Sequence, residues 1–241
     1  MLRRVFAAVV VLGLVAVLEA TPPDAKTKTP REALQAFSVL IGDWKCTGTP
    51  NGTQADKQKG FWTEKMSWEW QFKDKDAWLK IAFDKGKYYT AGELRYVPEK
   101  DHYTLTLTTV NKEKLTFVGT IETRDTTKIV TFEREGDKET QRFVYRLLHD
   151  NVYRYSYDVK AEGRPLFRTK WSVGAIKDGE NFAAGTGKPE CIVSGGTGTT
   201  PVTYMGKTYY VCCSGCRDEF NASPAKYVKE WEEKQAKAKK K

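Results

Sequence analysis

The chain has 241 residues, 40% of them hydrophobic, with a formal net charge of +9 and a mean hydropathy of −0.59. That length allows one sizeable core and one small satellite domain. A basic balance raises the question of nucleic acid, but much of the excess lies in residues 234–241 and the remaining charges alternate with carboxylates, so a solvated basic tail is expected and no nucleic-acid partner.

Met1-Leu-Arg-Arg, the apolar run Val5 to Leu18 and the small residues around Ala20 have the three regions of a secretory signal, assigned to residues 1–20. The run is shorter than the roughly 20 apolar residues of a comfortable membrane span. Leu18 is larger than the residue usual before a cleavage site, so an uncleaved anchor stays open; once cleaved, the protein is expected to have no stable membrane insertion. No cysteine follows the run, which argues against a lipoprotein anchor. An exported protein, periplasmic or extracellular, is expected.

Residues 21–29 read as a proline-stiffened polar linker. Thr29-Pro30-Arg31-Glu32 is a capping box with proline at the first helical position, and Ala33, Leu34, Phe37 and Leu40 form a helical apolar stripe, so a short helix opens the next domain. From Trp44 to about Ala175 the pattern is two-residue alternation: Met66, Trp68, Trp70 and Phe72, then Leu79, Ile81 and Phe83, then Tyr103, Leu105 and Leu107, and further sets ending with Phe167, Thr169, Trp171 and Val173. Short turn-like breaks such as Asp84-Lys-Gly86, Asn111-Lys-Glu113 and Glu162-Gly163 separate nine or ten strands. Strands joined by turns alone, with no helix between them, pair antiparallel in sequence order. Closing the meander into a barrel removes both edges. A mainly β fold is therefore expected, with the barrel over residues 30–176. Its tryptophans read as core; a hydrophobic small molecule in the interior is the competing reading. Cys46, two residues past Trp44, should face the same way. It reads as a buried small hydrophobe, or as a partner of Cys213 if the chain's end folds against the barrel mouth. His149 beside Asp150 reads as surface.

The helix followed by Gly42-Asp43-Trp44 resembles the G-x-W start of lipocalin-like (calycin-type) barrels, and Phe37 to Trp44 is similar to the opening of an uncharacterised bacterial lipocalin-like family related to the nitrobindins. The resemblance implies an up-and-down barrel with Trp44 closing its floor. Nitrobindin-type haem binding needs a histidine late in the barrel; the two histidines here are His102 and His149, so no haem is expected.

Residues 177–188 read as a glycine-bearing interdomain linker and residues 189–233 as a small cysteine-rich ββα-type module. Four of the chain's five cysteines, Cys191, Cys212, Cys213 and Cys216, lie within it. A hairpin would bring Cys191 beside the Ser214-Gly215 knuckle, a short helix is expected over 217–222, and Ser223-Pro224 signals a terminal helix bearing Tyr227, Val228 and Trp231. Gly195-Gly-Thr-Gly198 lacks the context of a phosphate loop and reads as a loop of the module. Thiolate is a soft ligand suited to zinc and copper(I). Strand alternation separates Cys212 from Cys213 unless the strand ends there. In an oxidising compartment the four thiols would instead make two disulfides, and Cys213-Ser-Gly-Cys216 is also a C-x-x-C able to cycle as a dithiol.

The pattern Cys, about twenty residues, Cys, three residues, Cys, with Gly206-Lys-x-Tyr-Tyr before the second cysteine and Phe220-x-x-x-Pro224-x-x-Tyr227 after the third, resembles the YHS/TRASH family over Pro189 to Trp231. The resemblance implies a soft heavy-metal ion, copper or zinc, held by Cys191, Cys212 and Cys216. Cys213 stands where many members have serine, and is a fourth ligand or a free thiol. Capture or carriage of a metal ion, rather than catalysis, is the function implied. The alternatives are a carrier of a hydrophobic small molecule with a disulfide-stapled module, and a thiol-disulfide oxidoreductase using Cys213 and Cys216.

Overall fold

The structure, a computed structural model, describes residues 28–124, 127–149, 151–179 and 189–238. The expected signal, Asp150, residues 180–188 of the second linker and the last three lysines lie outside the described residues.

Thr29 caps α1 (Pro30–Leu34): its hydroxyl accepts the Glu32 amide at 3.3 Å, and the Glu32 carboxylate accepts the Thr29 amide at 2.8 Å. A 3₁₀ turn, Gln35–Leu40, continues it. Ten strands follow: β1 (Gly42–Pro50), β2 (Trp62–Lys73), β3 (Asp76–Asp84), β4 (Tyr89–Val97), β5 (His102–Thr109), β6 (Lys114–Arg124), β7 (Thr127–Glu135), β8 (Glu139–His149), β9 (Val152–Ala161) and β10 (Arg168–Lys177). Each pairs antiparallel with its sequence neighbour, and β1 pairs with β10, so the sheet is a closed up-and-down barrel.

Alternation decides what fills it. Trp44 and Cys46 of β1, Met66, Trp68 and Trp70 of β2, and Leu79 and Ile81 of β3 are buried, as their spacing requires. Aromatic rings pack edge-on inside: Trp44 on Tyr153 at 4.6 Å, Phe117 on Phe143 at 5.1 Å. The Trp68 indole and the Tyr153 hydroxyl both reach Met66 Sδ at 3.1 Å. Glu64 is also inside, and its carboxylate accepts from Trp62 Nε1, the Lys87 amide and Tyr155 Oη. Aromatic rings thus occupy the interior. The opening helix plugs one end: Phe37 packs on Tyr103, the Tyr103 hydroxyl donates to the Ala33 carbonyl, and the Trp44 indole donates to the Leu40 carbonyl at 2.7 Å.

The strand connections are not all turns. A helix, α2 (Gln54–Gly60), stands between β1 and β2. It has no apolar stripe and buries no residue; a second capping box, between Thr53 and Asp56, nucleates it. Thr53→Ala should cost about 1 kcal/mol of that helix alone. Amide hydrogen exchange should show residues 54–60 opening more often while the strands keep their protection.

Cys46 is a free thiol enclosed in the barrel and does not pair with Cys213. Its parity with Trp44 points it inward, whereas Cys213 lies outside the barrel. Burial, then the nearby Glu64 carboxylate, pushes the Cys46 thiol up to about 12.

Beyond the barrel, a hairpin of β11 (Thr200–Tyr204) and β12 (Lys207–Val211) precedes α3 (Ser214–Ala222) and α4 (Pro224–Ala238). The lysine-rich end is helical as far as Ala238, and Lys234 pairs with Glu190, so the segment from residue 234 is not a free tail over its described part.

Candidate metal centre

The hairpin turns at Met205-Gly206, both with positive φ, which suits glycine at the second position. β12 ends at Val211, and this frees Cys212 and Cys213 from strand alternation. Cys213 becomes the N-cap of α3, with extended backbone angles of −158° and 174°. The helix therefore begins three residues earlier than residue 217: Ser214-Gly215 is its first turn rather than a knuckle, and Cys216 sits in that turn with no exposure.

Cys191 arrives from the other side. A parallel bridge joins it to Tyr210, and the Gly195-Gly-Thr-Gly198 loop folds back over it, with the Cys191 amide donating to the Gly196 carbonyl at 2.6 Å and the Gly195 amide donating to the Cys191 carbonyl at 2.9 Å. Ser194 closes this turn. Its amide donates to Cys191 Sγ at 3.4 Å, and its hydroxyl lies 3.3 Å from Cys212 Sγ.

The sulfurs of Cys191, Cys212 and Cys216 all lie within 4.8 Å of one another. Cys212 Sγ is 3.5 Å from Cys216 Sγ and 3.9 Å from Cys213 Sγ, and all five cysteines of the chain are free. Around an ion with metal–sulfur bonds of about 2.3 Å, tetrahedral thiolates sit about 3.8 Å apart, so the trio has the donor type and spacing for such an ion.

The thiols divide electrostatically. Hydrogen bonds from Cys212 and then Cys216 favour the thiolate of Cys191. The same two neighbours, followed by the amides of Cys216 and Trp70, favour that of Cys213. Cys212 is pushed up by its hydrogen bonding to Cys191 and Cys213, and Cys216 by burial. A cluster of this kind concentrates negative charge in a desolvated place, which a soft cation would offset.

The module is seated on the barrel. A Cβ built on Gly215 would overlap the Trp70 carbonyl oxygen, so only glycine lets α3 approach β2 this closely. Ser214 Oγ donates to the Glu69 carboxylate at 3.3 Å, and Arg31 of α1 pairs with Glu230 of α4 at 2.7 Å with its guanidinium over the Tyr227 ring. Ser194, Glu69 and the Trp70 amide were not among the residues singled out from the sequence. The Cys-x-x-Ser spacing of Cys191 and Ser194 is a local signal that could have found the first; the other two depend on contacts about 145 residues apart in the chain. His102 starts β5 and His149 ends β8, and the cluster found among the described residues consists of Cys191, Cys212 and Cys216.

Residues 198–231 match the YHS domain family. The match covers the hairpin, α3 and the first half of α4, includes Cys212, Cys213 and Cys216, and begins after Cys191. No curated protein matches the chain. Among solved structures, the crystal structure of Rv2717c from M. tuberculosis aligns at 16% identity over 61% of this chain and 97% of that chain, with a TM-score of 0.43.

Proposed function

We propose that the cysteine-rich module at the C-terminal end of this chain, which contains the YHS domain, captures or carries a soft metal ion, copper or zinc, on the thiolates of Cys191, Cys212 and Cys216. The observation that carries this reading is the convergence of three sulfurs within 4.8 Å, two of them on residues with 1% and 0% exposure. A cluster that, among the described residues, is made of thiols alone suits holding an ion better than activating water. Copper(I) accepts three thiolates, whereas structural zinc takes four ligands, so the part played by Cys213 bears on the choice of ion. The aromatic filling of the barrel supports reading that domain as scaffold rather than as carrier of a small molecule. Export rests on the signal-like residues 1–20.

Mass-spectrometric metal analysis with thiol counting, after mild reduction and exposure to limiting copper and zinc, tests this. One ion per chain is expected for the wild type, with a loss of at least about tenfold in affinity for Cys191→Ser and for Cys216→Ser. A wild-type protein with neither metal nor free thiols would sink the capture reading and leave a disulfide-stapled module.

A second reading, thiol-disulfide exchange, is favoured by one observation: Cys213 caps a helix N-terminus, where thiolate is stabilised. Disulfide reductase activity lost in Cys216→Ser would support it.

A further inference from the structure

The two fully buried thiols raise a question of access. Cys191 and Cys216 have 1% and 0% exposure and cannot meet a donor directly. Cys212 and Cys213 are half-buried, and both line a groove of about 520 Å³ at the junction of barrel and module. That volume lies in the range that admits a small organic molecule. The opposite wall belongs to the barrel and carries Asp43, Glu69 and Asp178; Thr200 stands on the module's side. Glu69 holds Ser214, next to Cys213, so the wall and the thiol are tied in register.

Cys213 is also set apart from the holding trio. Its sulfur lies 3.9 Å from that of Cys212 but is not one of the three that are mutually close. We propose that this groove is the port through which the ion enters and leaves, and that Cys213 makes the first bond to an ion presented as a complex with a low-molecular-weight thiol. The inference rests on the capture reading above. Soft ions exchange between thiolates by association, an incoming sulfur binding before an outgoing one departs. A bond forms between the Cys213 thiolate and the metal, the bond between the metal and the donor's sulfur breaks, and the donor's sulfur is set free as thiolate. The oxidation state of the ion does not change. Cys212, 3.9 Å away, then takes the ion by the same exchange and draws it toward Cys191 and Cys216; this restores the Cys213 thiolate, and the Cys212 proton leaves with the donor as its free thiol.

The test is timed loading of the full-length reduced protein with copper(I) in excess glutathione, stopped by desalting, with protein-bound copper measured by mass spectrometry. Cys213→Ser keeps a good N-cap and should load about tenfold more slowly while reaching the same end point. Thr200→Trp, an exposed strand position at the groove, should slow loading as well with all thiols intact. Loading at the wild-type rate in either variant overturns the port. Loss of end-point copper in Cys213→Ser also overturns it, because Cys213 would then be a holding ligand. A wild-type protein that never loads overturns the capture reading and the port with it.

Discussion

Gly215→Ala should destabilise the protein and strip it of metal, although helix propensity alone favours alanine. Alanine near a helix start is worth up to about 1 kcal/mol over glycine. Against this stands the overlap of the new methyl group with the Trp70 carbonyl oxygen, a backbone atom of a central barrel strand that cannot swing aside. Forcing a methylene into a packed contact costs about 1–3 kcal/mol, so destabilisation should win. The helix would be lifted from β2, and both Cys213 and Cys216 would move with it. Urea unfolding and copper content, measured together on wild type and variant, check this. A stabilised variant with full copper would mean that α3 does not rest on β2 in solution.

Loading one ion at pH 7 should release about two protons rather than three, because a thiol must be deprotonated to ligate. In the ion-free cluster Cys191 is already held toward its thiolate by hydrogen bonds from Cys212 and Cys216, while those two keep their protons. The sign follows from competition. Protons oppose the ion at Cys212 and Cys216, so affinity is highest on the alkaline side and falls with pH. With two protons displaced, each unit of acidification weakens binding about a hundredfold. Calorimetry in buffers of different ionisation heat counts the protons, and a value near three would show that Cys191 is protonated before loading.

The barrel was legible because burial on one face leaves a period of two in each strand: Met66, Trp68 and Trp70 could be placed inward from spacing alone. The helix α2 was not, since it faces solvent all round and only the Thr53–Asp56 capping box marks it. The cysteine positions were visible too, together with the conflict between Cys212 and Cys213, which the end of β12 at Val211 resolves. What stayed hidden was the meeting of module and barrel. Ser214-Gly215 has the composition of a turn, and its glycine serves instead a close approach to a strand 145 residues earlier, a relation that no local window contains.

The pairing of β1 with β10 joins the first and last strands of the barrel, for example Trp44 with Lys177. Both ends of the barrel chain therefore leave from one rim, where Asp43 and Asp178 stand side by side in the groove wall and the Asp178 amide donates to the Asp43 carbonyl at 2.8 Å. The groove wall that faces Cys212 and Cys213 is thus complete only once that seam closes. Since contacts so distant in sequence form slowly, the fold makes competence for metal a late event in maturation: during refolding, uptake of copper should lag behind the burial of the barrel tryptophans.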